Sequence, residues 1–206
     1  MRGSIFPARR PLFYYITDRN SLARKDLLAC IERVIDWGAD FVQIREKDLA
    51  DRKLFELTSK TVALARGSRC RILVNGRADI ALASGADGVH LPSAGLRLPN
   101  LASWLPKHFL VGMSVHSVRE GCYAAREGAD YVLLGPVFAT PSKLRYGSPL
   151  GLETLRAVCA KTSVPVFGLG GIGPGQIDSI LAAGSAGVAG IGLFQRRLDA
   201  IGRRPV

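Results

Sequence analysis

Four phrases of near-identical build recur along the chain: Trp37-Gly38-Ala39-Asp40, Ser84-Gly85-Ala86-Asp87, Glu127-Gly128-Ala129-Asp130 and Ala183-Gly184-Ser185-Ala186. Each places a glycine, the residue that most readily takes the left-handed backbone closing a helix, just ahead of a small residue and an apolar run. A chain that ends a helix and opens a strand in the same way four times is built from a repeating βα unit. The apolar runs agree, falling at Leu12 to Ile16, Asp40 to Ile44, Arg71 to Val74, Gly88 to Leu91, Phe109 to Gly112, Tyr131 to Leu134, Val164 to Leu169 and Gly187 to Ile191. Several are followed by stretches with helical spacing: Asp51 to Ala65, Val118 to Glu127, Leu152 to Ala160 and Gly175 to Ala183. Strand then helix, repeated, requires a parallel sheet. Eight units in 206 residues predict a (β/α)₈ TIM barrel of the α/β class, a single domain over 1–206 with its core at about 12–201. A doubly wound sheet is the alternative, and the lack of Gly-x-Gly-x-x-Gly after the first strand weighs against it.

Composition narrows the function. With 48% hydrophobic and 22% charged residues the chain reads as one ordinary globular core. No segment reaches the roughly 18 apolar residues of a spanning helix, and Met1 to Pro11 lacks an apolar centre, so a cytoplasmic protein without a membrane partner is expected. Cys30, Cys70, Cys122 and Cys159 stand singly, without zinc or redox spacing. The net charge of +11 lies partly in basic tails (Arg2, Arg9, Arg10, Arg196, Arg197, Arg203, Arg204). With no zinc finger, helix-turn-helix or aromatic-rich basic strand beside it, that charge suits phosphorylated metabolites better than nucleic acid. A homo-oligomer is compatible with the sequence.

In such a barrel the active site gathers at the C-terminal ends of the strands. The polar residues collect there: Thr17 and Asp18; Gln43, Arg45 and Lys47; Asn75 and Arg77; His90 and Ser93; Ser114, His116 and Ser117; Gly135; Gly170 and Gly171; Gly192. Strand alternation puts Phe41, Gln43 and Arg45 on one face, so a barrel directs an amide and a guanidinium toward its mouth. Arg45 then needs an anion: a ligand, or a rim acid such as Glu46. Glycines after strands seven and eight allow backbone N–H groups to approach a phosphate, while they would also serve tight turns. The long connection from Gly135 to Gly151 carries Thr140, Lys143 and Arg145 and has the composition of a cover that brings a cation over a bound anion. Asp18 is read as capping the turn at Asn20 and Ser21.

Taken together, Tyr15-Ile16-Thr17-Asp18, Gln43-Ile44-Arg45-Glu46-Lys47, Ser114-Val115-His116-Ser117, Gly135-Pro136-Val137-Phe138-Ala139-Thr140 with Lys143, and Gly170-Gly171-Ile172 resemble the thiamine-phosphate synthase and TenI-type thiazole tautomerase superfamily over roughly Tyr14 to Phe194. The resemblance implies a barrel that binds phosphorylated thiazole or thiamine phosphate. It implies that Gln43 holds a pyrimidine, that Arg45, Lys47, Asn75 and Lys143 hold a diphosphate, that Ser114 sits by the departing group and that Thr140 faces the substrates. Gly170, Gly171, Ile191 and Gly192 would lie by the thiazole phosphate. A synthase of this kind uses Mg²⁺ held by carboxylates, yet Gly76 stands where an Asp would follow Asn75, and His90-Leu91-Pro92-Ser93-Ala94-Gly95 offers no acid. Asn75-Gly76-Arg77 with Leu91-Pro92-Ser93 is closer to the tautomerase branch, which needs proton transfer and no metal. On this reading a TenI-like protein is expected, with no cofactor; the alternatives are a synthase, which would need Mg²⁺, or a non-catalytic binder. The tautomerase pattern has a His where this chain has Pro136, so His90 and His116 remain as acid/base candidates.

Overall fold

The computed structural model describes residues 10–22, 26–95, 98–140 and 148–197. Eight parallel strands close into a barrel in sequence order: β1 (Leu12–Ile16), β2 (Phe41–Ile44), β3 (Arg71–Asn75), β4 (Gly88–Leu91), β5 (Leu110–Val115), β6 (Tyr131–Leu134), β7 (Val166–Leu169) and β8 (Gly187–Gly190). Closure comes from β1 pairing with β8, Leu12 opposite Gly187 through Tyr15 opposite Gly190. Around it lie α1 (Leu27–Asp36), α2 (Asp51–Leu64), α3 (Ala78–Ala83), α4 (Pro99–Ala102), α5 (Val118–Arg126), α6 (Gly151–Lys161), α7 (Ile177–Ala182) and α8 (Gly192–Arg197). The (β/α)₈ expectation holds. Five strands differ at their ends: β7 begins at Val166 because Pro165 has no N–H to donate, β5 runs from Leu110 on to Val115, paired with Leu134 of β6, and β2, β3 and β8 shift by one residue, to start at Phe41 and to end at Asn75 and Gly190.

Strand alternation sorts the side chains into two cores. The barrel interior takes Leu12, Tyr14, Ile16, Phe41, Leu73, Leu110, Tyr131, Leu133, Phe167 and Ala189. Between barrel and helices lie Phe13, Tyr15, Val42, Ile44, Ile72, Val74, Val89 and their helical neighbours. Four rings fill the middle of the interior: Tyr14 packs on Phe41, Tyr131 and Phe167 with centroids 5.4, 5.7 and 5.6 Å away. The Tyr131 ring fits because β5 carries Gly112 beside it, where a β-carbon would collide with the ring.

The recurring joints have a common geometry. Gly38, Gly85, Gly128 and Gly184 all have positive φ, as a helix-closing glycine should. The next polar residue reaches back to the preceding strand. Asp40 accepts from Phe13 N (2.9 Å), Asp87 from Ile72 N (2.8 Å), Asp130 from Val111 N (2.8 Å), and Ser185 from Gly168 N (3.1 Å). Each joint thus ties an even-numbered strand to the odd-numbered strand before it. The barrel is four βαβ quarters, fastened at the end away from the mouth.

Candidate active site

The mouth is built first from β2. Gln43 is 1% exposed, and its Nε2 donates to the Tyr14 hydroxyl (2.8 Å) inside the barrel. Two residues on, Arg45 is half-buried; its backbone N–H donates to Thr17 Oγ1 (2.9 Å). The rim acid that could have neutralised it is taken: Glu46, buried, accepts the backbone N–H and the guanidinium of Arg19, which also forks onto Asp48 at 2.6 Å from each nitrogen. Among the described residues the Arg45 guanidinium has no ion pair, although it lies close enough to His90 to disfavour a charge there. A half-buried guanidinium without an ion pair among the described residues is a candidate to meet an anion. Lys47 is exposed on the rim.

At β3 the half-buried Asn75 faces the mouth end and is followed by Gly76, with φ of +70°. Arg77 then grips both Asp51 and Asp79, holding each carboxyl below its ordinary range. These acids are pinned outward. His90, on β4, is 2% exposed, with its Nδ1 3.2 Å from the Tyr131 hydroxyl and its Nε2 2.8 Å from Ser114 Oγ. Burial, aided by Arg45, lowers its pKa to about 3, so the imidazole is neutral at working pH. His116 is exposed at the end of β5: Nδ1 donates to the Gly135 carbonyl (2.6 Å), and Ser93 Oγ lies 3.4 Å from Nε2. It braces the ends of β5 and β6. Asp18 caps the turn Arg19–Ser21 by accepting from Asn20 N, as its sequence context suggested.

On the opposite side, Gly170 and Gly171 have φ of +99° and +67° and press against the connection that leaves β6. Phe138 N donates to Gly170 O (3.0 Å), and a β-carbon on Gly171 would strike Ala139 O and Phe138. Close packing therefore requires these glycines whatever they bind. Thr140 is half-buried at the edge of this contact; Lys143 and Arg145 lie outside the described residues. Ile191 and Gly192 lead into α8, and the Arg196 guanidinium lies against Gly192, where a β-carbon would meet it.

Sequence reasoning missed Tyr14, Tyr131, Arg19, Gln195 and this placement of Arg196. Gln195 fastens α8 to the first loop, donating to Tyr15 Oη (3.0 Å) and Asp18 O (2.9 Å) while accepting from Ser21 Oγ (2.5 Å). Polar residues at interior strand positions, Tyr14 and Tyr131, were the available signal for the network.

Chemically, the mouth offers a cation, amide and hydroxyl groups, and glycine backbone. Its described histidines are sealed or already bonded. Its described acids are engaged, Glu46 and Asp48 with Arg19, Asp51 and Asp79 with Arg77, Asp18 with Asn20 N and Glu120 with His116 N, and no group of three His, Cys, Asp or Glu among the described residues could hold a metal. That donor set does not suit a carboxylate-held Mg²⁺. No described helix is long and apolar enough to cross a membrane.

The family model described as thiamine monophosphate synthase matches residues 13–194. A Geobacter sulfurreducens protein named "Putative thiamine-phosphate synthase" is 44% identical over 176 residues, 85% of this chain and 83% of that one. The Moorella thermoacetica thiamine-phosphate synthase is 40% identical over 162 residues, 79% of this chain and 77% of its own. Among solved structures, thiamine phosphate pyrophosphorylase from Pyrococcus furiosus superposes with a TM-score of 0.80 at 28% identity, covering 92% of this chain and 96% of that chain.

Proposed function

The chain belongs to the thiamine monophosphate synthase family, and from that membership we propose that it joins a pyrimidine-methyl diphosphate to thiazole phosphate, forming thiamine phosphate and pyrophosphate. The C–O bond between the pyrimidine methylene and the diphosphate breaks, its electron pair leaving with pyrophosphate, and the thiazole nitrogen forms the new C–N bond with its own lone pair. No proton need move. The reaction therefore asks for charge stabilisation rather than for an acid/base, which is what this mouth contains.

The observation that carries the reading is Arg45: a half-buried guanidinium with no ion pair among the described residues, beside the buried amide of Gln43. Arg45 holds the diphosphate, with Lys47 and Asn75 at its edges, and Gln43 faces the pyrimidine. Ser114 lies by the departing group and Thr140 by the substrates. Gly170, Gly171, Ile191 and Gly192, with Arg196 across the last, take the thiazole phosphate. The missing carboxylates at 76 and 93–95 leave metal out of the steps assigned to this chain.

The same absence favours a second reading, the TenI-like tautomerase, in which the mouth holds a thiazole carboxylate phosphate and aromatises it. The names of the relatives do not favour that branch, and its proton carrier would have to be His116, since His90 is sealed. One incubation separates the two. Given both synthase substrates and Mg²⁺, the protein should release thiamine phosphate and pyrophosphate in equal amounts. No product at high enzyme concentration, together with aromatisation of the thiazole alone, would replace the first reading by the second.

A further inference from the structure

Five buried or half-buried polar groups cross the barrel interior in one line: Gln43, Tyr14, Tyr131, His90 and Ser114. The successive separations are 2.8, 2.9, 3.2 and 2.8 Å. Counting protons gives this line a direction. Tyr14 Oη already takes a proton from Gln43 Nε2, so its own hydroxyl proton goes to Tyr131 Oη, its other hydrogen-bond partner among the described residues. Tyr131 spends its single proton on the acceptor at its other side, His90 Nδ1. A neutral imidazole that accepts at Nδ1 carries its proton at Nε2, and Nε2 faces Ser114 Oγ. The opposite direction would require the Gln43 amide to be turned over, with Oε1 rather than Nε2 meeting the Tyr14 hydroxyl.

We propose that His90 is a positioning residue: held in its Nε2–H form by Tyr131, it fills the acceptor side of Ser114 and leaves the Ser114 hydroxyl proton to donate into the mouth. At the other end of the line Gln43 keeps Oε1 free to accept from a ligand N–H. The relay therefore makes Ser114 a donor and Gln43 an acceptor at the same time, and reversing it would exchange both. Its bearing on the departing diphosphate rests on the transfer reading above. The hydrogen-bond assignment itself does not.

Burial keeps His90 neutral, in agreement with an acceptor at Nδ1. The experiment is a long-range ¹H–¹⁵N correlation on unliganded protein labelled at its 3 histidines, the His90 signals being those lost in His90→Gln. The expected result is a neutral His90 protonated at Nε2 at pH 7 and again at pH 5.5. A proton on Nδ1, or an imidazolium at pH 7, would overturn the proposal whether or not the protein proves to be a synthase. Tyr131→Phe removes the donor that selects the tautomer. It should shift His90 toward the Nδ1–H form and, in an active enzyme, lower kcat about tenfold with KM within about twofold, Ser114→Ala adding little on top. A Tyr131→Phe protein with unchanged tautomer and unchanged kcat contradicts it.

Discussion

His90 is the residue at which this structure most clearly separates placement from chemistry. A histidine near a strand end reads as an acid/base candidate, and the fold sinks it into the barrel beneath the mouth. Its pKa of about 3 lies below the ordinary 6.5, so between these values the unfolded chain binds a proton that the folded chain refuses. Its contribution to stability is accordingly complete above pH 6.5 and declines as the pH falls toward 3. Between pH 7 and pH 5 the wild type should lose about 2 kcal/mol more than His90→Gln, measured as the difference in denaturant midpoints at each pH. Equal slopes for the two proteins would mean that His90 is solvated. Gly112 makes a steric prediction at the same scale: Gly112→Ala drives a methyl into the Tyr131 ring and should cost about 1–3 kcal/mol by thermal or chemical unfolding.

At the scale of elements, the joints before the even-numbered strands show how far a sequence can be read and where reading stops. Their glycines announced helix ends, and all four take positive φ. Their acids carried a second instruction that was not legible. Asp130 serves Val111 N on another strand, and only the closed register brings the two together. The same limit hid the interior network, since Tyr14 and Tyr131 stand 117 residues apart and meet only because β1 and β6 face one another across the barrel. Local pattern revealed strands, helices and the polar strand ends. It could not say that Glu46 would be claimed by Arg19, and so that Arg45 would stand without an ion pair among the described residues. If the joints fasten the quarters, Asp130→Ala should destabilise the fold by about 1–3 kcal/mol through the unmet Val111 N–H, while the exposed Asp178→Ala on α7 stays within about 0.5 kcal/mol.

For the whole molecule, the division of labour runs along the barrel axis. The far end holds the fastening acids, the middle holds four packed rings, and the mouth end holds the cation, the amide, the hydroxyls and the glycine turns. Acids that might have faced the mouth are instead drawn into Arg19 and Arg77, which leaves a positive opening over a neutral polar relay. This arrangement suits a reaction in which an anion departs, and it separates anion binding, assigned to Arg45, from donor orientation, assigned to His90 acting through Ser114. The most direct measurement is calorimetric titration of the pyrimidine-methyl diphosphate into wild type and Arg45→Ala. Wild type should bind, and the variant, folded with an unchanged melting midpoint, should bind about 100-fold more weakly, as expected when one partner of a charge-assisted contact is removed. Equal affinity in the two proteins would contradict the assignment of Arg45 and with it the proposed site.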